Sequence, residues 1–174
     1  MYECMKRKDI LALFNTLNVL ENPDVNKEGE QLSIKFKYAV AKNLRVLLPE
    51  VQALSKASEE SVEYGNFKKK SLELGRKNAE KDESGNPVQR DGLFVFVDEK
   101  KAEEEFMELK KEYDEVLKER DRSMQEYEKL LELEVEVNIH KVLVSDVPEF
   151  LGISSLYAII DMVDGEIKVT GVTS

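Results

Sequence analysis

The sequence offers few side chains for covalent or metal chemistry: of 174 residues, one is cysteine, one is histidine and none is tryptophan. Cys4 cannot form an intrachain disulfide, and a single cysteine excludes a zinc site built on several thiolates. A serine or cysteine nucleophile activated by histidine would have to use His140. We therefore expect no catalytic residue, no cofactor and no metal, and interpret Cys4 as an inert thiol.

Long apolar segments are also missing, since no run reaches the length of eighteen or more residues that a membrane helix requires. The opening stretch MYECMKRKDILALF reaches its charged residues at once and lacks the apolar core of a signal peptide. We expect no membrane partner, and a protein that works in a cytosol or in a particle assembled there.

Positive charge is in deficit, because 36 acidic residues outweigh 26 basic ones and the formal net charge is −10. General nucleic-acid binding needs a basic surface that displaces counterions from phosphates, so this balance argues against it. An acidic surface is equally compatible with solubility alone and with docking on a basic partner.

Two helical patterns of nearly equal length are the main feature that is present. Apolar residues recur every three or four positions over 33–64 and again over 99–131. Helices of this length would each extend roughly 48 Å, and their complementary stripes predict a long antiparallel helical hairpin. Pro49 should kink or break the first helix. Residues 65–97 would form an elaborated tip with a small β-hairpin at its turn signals.

Near residue 132 the pattern changes from helical spacing to strict alternation. Val135, Val137 and Ile139 alternate with polar residues, which predicts a strand with one buried face and a solvated acidic face. With a helix over 6–20, a helix over 154–163 and a last strand EIKVTGV, segments 1–31 and 132–174 would form a small base. The predicted fold is α+β, mostly α, in a single domain spanning 1–174. A base sheet of two strands has open edges, which a neighbouring subunit could complete.

Candidate sites are few, and each has a simpler interpretation. Glu134, Glu136 and His140 could in principle line up to hold a divalent metal, but carboxylates on such a strand face are usually solvated. The basic stretch NFKKKSLELGRK (66–77) is either a patch for an acidic partner or a solvated helix face, and we favour the solvated face. Arg120 interrupts the stripe of the second long helix as a polar residue. The residues that we expect to make protein contacts are Glu134, Val135, Glu136, Val137, Arg120, Lys68, Lys69 and Lys70.

Four stretches carry a resemblance to a known group: LSIKFKYAVAKNLRVLLPEV (32–51), YGN (64–66), KDESGNPV (81–88) and LLELEVEVNIHKVLVSDVPEFLGISSLYAIIDMV (130–163). Together they resemble a group of small proteins encoded by tailed bacteriophages and prophages. That group pairs a helix of the form YA-x-AKN with a later strand of the form EVEV-x-IHK and a short C-terminal helix. The resemblance covers most of the chain, with 67–80 as an insertion, and its motifs are structural. It implies a viral origin and brings no catalytic residue.

Within that resemblance, three classes of function compete. The first is a virion structural or assembly protein whose open sheet edges are completed by identical neighbours in a ring or tube. The second is an inhibitor or regulator that binds a host protein complex, such as a defence complex, through an acidic surface. The third, an enzyme or metal-dependent nuclease, is disfavoured by the side chains present. We expect a non-enzymatic phage protein in the host cytoplasm or the virion, acting by oligomerisation and by contacts with phage or host proteins.

Overall fold

The computed structural model describes residues 2–21 and 32–165, and these residues form six α-helices and six short strands. In chain order the elements are β1 (Tyr2–Lys6), α1 (Arg7–Glu21), α2 (Ile34–Ala57), α3 (Val62–Asn78), β2 (Gln89–Arg90), β3 (Leu93–Phe94), α4 (Glu99–Glu112), α5 (Asp114–Glu132), β4 (Glu134–Asn138), β5 (Val142–Leu143), α6 (Ile153–Ala158) and β6 (Val163–Asp164). The fold class is α+β and mostly α, as predicted.

The chain divides into two compact units. The first unit holds the described residues of 1–57 and 127–174, and the second unit is Ser58–Glu126. The expectation of a single domain over the whole chain stays a prediction. The predicted last strand, EIKVTGV (166–172), lies outside the described residues.

A hairpin of two helices, α1 and α2, supplies most of the core of the first unit. Their apolar residues recur at helical spacing, so each helix presents one continuous face to the other. The fully buried side chains of this unit include Ile10, Leu13, Leu17, Phe36, Leu47, Ile139, Ile159 and Met162. Burying each such side chain is worth about 1.5–3 kcal/mol, which makes this core the main source of stability in the first unit.

Strand β4 joins this core through the alternation that the sequence predicts. Val137 is buried, Val135 packs partly buried against the core, and Glu134 and Glu136 are exposed. Its partner is β1, antiparallel, with Tyr2 opposite Asn138 and Lys6 opposite Glu134. Strand β1 was not predicted, because five residues of mixed character carry too weak an alternation to identify a strand.

The change from helix to strand takes a single residue, Leu133, between α5 and β4. The backbone N–H of Leu133 donates to the Leu130 carbonyl (3.3 Å), and the Leu133 carbonyl accepts from the N–H of Arg7 (3.0 Å). Arg7 is itself the first residue of α1 after β1. The junction between β1 and α1 and the junction between α5 and β4 therefore lie at the same end of the two-stranded ribbon. The hydrogen bond from Arg7 to Leu133 joins them.

The helix expected over 33–64 ends at Ala57, and a separate helix, α3, begins at Val62 and runs to Asn78, inside the segment expected to form the tip (65–97). The helix expected over 99–131 is divided into α4 and α5. Ser61 starts α3 as an N-cap, and its side chain accepts a hydrogen bond from the Tyr64 N–H, which favours a new helix start over continuation. Tyr113 leaves the helical region (φ −107°, ψ 19°), and α5 begins at once with two acidic residues that suit a helix N-terminus. Pro49, in contrast, lies inside α2 without ending it.

The second unit packs α3 against α4 and carries the predicted β-hairpin. Asp91 and Gly92 both have positive φ (51° and 79°), the geometry of a two-residue turn for which Asp-Gly is a preferred pair. Phe94 of the hairpin lies directly on Gly75 of α3, where an added Cβ would stand 2.6 Å from the Phe94 ring. Gly75 therefore permits the hairpin to approach the helix.

Candidate interaction surfaces

The stretches YAVAKN (38–43) and EVEVNIHK (134–141) meet in the first unit. Asn43 of α2 is fully buried, and its side-chain amide donates to the His140 carbonyl (3.0 Å) while its Oδ1 accepts from the His140 N–H (2.7 Å). Its second amide hydrogen faces the sulfur of Met162 (3.8 Å). Every polar atom of this buried side chain is thereby paired, so Asn43 fixes the chain just after β4.

The side chain of His140 lies beside this clamp and packs against Tyr38 edge to face, with ring centroids 5.4 Å apart. The ammonium of Lys42 lies 5.4 Å from the centroid of the same tyrosine. Among the residues that the structure describes, no group of three or more His, Cys, Asp or Glu side chains is placed to hold a metal ion. The contacts that the structure gives to His140 are packing contacts.

A basic pocket of about 460 Å3 opens where the two motifs meet, lined by Lys42, Arg45, Val46, Asn138, Ile139, His140 and Lys141. Lys141 bonds to the carboxylate of Glu3 (2.9 Å) and to the Asp161 carbonyl (2.6 Å), so its charge is compensated. Lys42 and Arg45 are exposed and, within the described ranges, have no carboxylate partner. The pocket is a local excess of positive charge on an acidic chain.

Cys4 lies across the strand pair from Glu136 and next to Glu134. Its Sγ donates to Oε2 of Glu134 (3.4 Å), and this hydrogen bond, with the nearby carboxylate charges, raises the pKa of the Cys4 thiol. A raised pKa lowers the thiolate fraction at neutral pH and with it the nucleophilicity. The geometry supports the interpretation of Cys4 as an inert thiol.

The predicted contact residues of β4 divide between its two faces. Val137 belongs to the core and Val135 is half-buried, while the carboxylates of Glu134 and Glu136 face solvent. Among the described residues β4 has β1 as its one strand neighbour, so one edge of each strand carries no sheet partner there. The exposed part of β4 is its acidic face and that edge.

The guanidinium of Arg120, in the second unit, contacts neighbouring residues of its own chain. Its guanidinium lies 3.5 Å from the Ser58 carbonyl, 3.9 Å from a Glu60 oxygen and 5.3 Å from the centre of the Tyr64 ring. These partners lie in or next to the loop that separates α2 from α3. A polar residue in an otherwise apolar stripe thus holds the start of α3.

The three neighbouring lysines have three different environments. Lys68 bonds to Glu60 (3.0 Å), and Lys70 bonds to Glu112 (2.7 Å), a contact that raises the pKa of Lys70. Lys69 is exposed and, in the part of the chain that the structure describes, has no acidic partner. The sequence stretch does not form a single basic face.

An apolar groove lies beside Lys68 and Lys69 in the second unit. Its volume is about 850 Å3, and the residues that line it are mostly aromatic or aliphatic: Phe67, Lys68, Lys69, Ser71, Leu72, Gly92, Leu93, Phe94, Phe96 and Phe106. The rings of Phe96 and Phe106 pack against each other, with their centroids 6.0 Å apart. We refer to this feature as the phenylalanine groove. No single stretch of the sequence indicates the phenylalanine groove, because its walls come from α3, the hairpin and α4.

The C-terminal helix exposes a second apolar surface. Ile153, Leu156 and Tyr157 of α6 are spaced i, i+3 and i+4, and Ile160 lies in the 3-10 turn that follows the helix. Three of these four side chains are largely exposed (Ile153 87%, Tyr157 79%, Ile160 60%). Ile159 and Met162 face the core instead. We refer to this surface as the α6 face. The stretch ISSLYAII has large apolar residues at more positions than one buried face needs, which could have indicated this surface.

Comparison with models of protein families, with curated proteins and with solved structures found no match for this chain. Across residues 2–21 and 32–165, none of the helices combines the length and apolar character needed to cross a bilayer.

Proposed function

We propose that this chain is a non-enzymatic bacteriophage protein that acts by self-association and protein contacts, as a structural or assembly component of a virion. The observation that carries the proposal is the α6 face. Large apolar side chains that lie together in contact with water mark surfaces that bind other proteins. The resemblance of the two motifs to phage proteins supplies the biological setting.

The size of the α6 face bears on how strong such a contact can be. Burying Ile153, Tyr157 and Ile160 fully would contribute about 1.5–3 kcal/mol each. Association costs about 4–15 kcal/mol in lost translational and rotational freedom. One such contact alone is therefore weak, and stable assembly needs each subunit to make more than one contact. A closed ring meets that requirement, since every subunit then contacts two neighbours.

An inhibitor or regulator of a host protein complex is the second candidate, and the acidic charge of the chain favours it. Glu103, Glu104 and Glu108 on α4 are exposed and have no ion pair within the described ranges. However, Lys100 and Lys111 line the same shallow depression. Mixed charge is typical of a solvated helix face, so this surface is a poor imitation of nucleic acid.

The mass of the purified chain in solution separates the two candidates. We would measure it by size exclusion with light scattering over a hundredfold range of protein concentration. The assembly role predicts an oligomer of six copies or more that persists on dilution or dissociates into smaller species. A monomer or dimer at every concentration would contradict it, and the search would then turn to a host protein that binds the chain.

A further inference from the structure

We infer that the α6 face of one copy binds in the phenylalanine groove of a second copy, so that the chain assembles head to tail. This inference rests on the proposed self-association and names the two surfaces that make the contact. Each copy carries one α6 face and one phenylalanine groove, in different units, so each copy can bind one neighbour through each surface.

Shape and polarity are the first argument for this pairing. The groove is concave and lined by four phenylalanines and two leucines, and the α6 face has no charged residue between Phe150 and Ile160. The six residues of α6 extend about 9 Å. Aromatic side chains that already stand at a surface and enter a pocket are the usual centres of binding energy.

Charge complementarity is the second argument. Lys68 and Lys69 line the groove, and Lys69 lacks an acidic partner among the described residues. The α6 face is flanked by Glu149, Asp161 and Asp164, which are exposed carboxylates without a basic partner in the same ranges. Docking places acidic flanks beside a basic rim, which favours encounter and fixes orientation.

The same charges argue against two α6 faces that pair with each other. A symmetric pair would bring the carboxylates at one end of the helix, Glu149, against those at the other end, Asp161 and Asp164, of its partner. Like charges placed together at an interface disfavour that pairing. A contact between unlike surfaces avoids this repulsion and closes into a ring or extends into a filament, depending on the rotation between neighbours.

The experiment uses one substitution on each surface of the full-length chain. Tyr157→Asp places a charge on the α6 face, and Leu93→Asp places one on the groove wall. Both positions are largely exposed (79% and 74%), so the fold should tolerate them. Val62→Asp is the matched control, because Val62 is equally exposed (76%) in the same unit as Leu93 but does not line the groove. Circular dichroism confirms that each variant is folded.

We expect each of the two test variants alone to be monomeric by light scattering, and the Val62→Asp control to assemble like the unmodified chain. A mixture of the two test variants is the decisive sample. The Tyr157→Asp copy keeps an intact groove and the Leu93→Asp copy keeps an intact α6 face, so the mixture forms one intact contact. Because one contact alone is weak, we expect a dimer of the two variants at the highest protein concentration that dissociates on dilution. Lys69→Glu should weaken assembly by about twofold to fivefold, the value of an exposed ion pair.

Three results would overturn the inference. If both variants still assemble, self-association stands but uses other surfaces. If Tyr157→Asp prevents assembly and Leu93→Asp does not, the α6 face binds somewhere other than the groove. If both variants are monomers and their mixture stays monomeric even at the highest protein concentration, the two surfaces do not bind each other. A chain that is monomeric without any substitution would instead remove the proposed function itself.

Discussion

The two units of this chain are held together by different physical means. The first unit buries sixteen apolar residues in one continuous cluster, among them nine that are almost completely inaccessible. The second unit buries few side chains, chiefly Ala79, Ala102 and Leu109, and links its helices through ion pairs such as Lys77–Glu105 and Lys70–Glu112.

The difference predicts an uneven distribution of stability. Exposed ion pairs contribute about 0–1 kcal/mol each, whereas each buried leucine or phenylalanine contributes several times as much. The second unit should therefore open locally at a lower free energy than the first. Its groove is built on the less stable part of the molecule, where the walls can adjust to a bound helix.

The largest effect should come from placing a charge in the core of the first unit. Val137→Lys puts an ammonium group into an apolar site of β4 and should lower the free energy of unfolding by more than about 4 kcal/mol, enough to prevent folding. Glu136→Lys, one residue earlier on the exposed face, is the matched control and should change stability little. Denaturant titration followed by circular dichroism measures both. Equal effects of the two substitutions would contradict the assignment of faces.

The next effect concerns the buried amide that holds His140. Asn43→Ala leaves the N–H and carbonyl of His140 without their partners and should destabilise the first unit by about 2–3 kcal/mol. Asn66→Ala, at an exposed position of α3, is the control and should have almost no effect. His140→Ala keeps the backbone bonds and should also be mild. If His140→Ala lowers the free energy of unfolding strongly while assembly stays normal, this would point to a role for the imidazole ring.

A pair of glycines tests how closely the second unit is packed. Gly75→Ala places a methyl group 2.6 Å from the Phe94 ring, whereas Gly65→Ala, ten residues earlier in the same helix, meets nothing within 4 Å. Both gain helix propensity, but only Gly75→Ala must displace the hairpin. We expect Gly65→Ala to be about 1–2 kcal/mol more stable than Gly75→Ala. Hydrogen exchange across α3 and the hairpin measures this, and equal protection would contradict the close contact.

The smallest effect is the response of the ion pairs to acid. Hydrogen bonds from Asn78 and from Lys77 lower the pKa of Glu105 below its ordinary value of 4.5. A lowered pKa in the folded state means that the stabilisation is complete above about pH 4.5 and is lost as the pH falls through the lower folded value. Glu105→Gln should remove this part of the acid sensitivity of α3 and α4 in hydrogen exchange. Glu103→Gln, at an exposed position, should leave it unchanged.

Local patterns in the sequence were sufficient to assign helix to α1, α2, α4 and α5 and strand to β4, because their periodicities directly reflect which side faces the core. They could not supply the pairing of β1 with β4, which joins Tyr2 to Asn138 across most of the chain. The helix breaks at Ser61 and Tyr113 depend on backbone geometry that an unbroken stripe conceals. The phenylalanine groove combines residues from three elements, so no single stretch predicts it. The contact role expected for the exposed residues of β4 stays a prediction.

The Asn43 clamp limits which sequences can adopt this fold. The side chain offers one acceptor and one donor to the same residue, 97 positions further along the chain, as the backbone of a neighbouring strand would. Aspartate would lose the donor, leucine would lose both, and glutamine would be one methylene too long. Distant relatives should therefore keep an asparagine at this point of the second helix even where every charged residue around it has changed, and that single position is the best marker by which to recognise them.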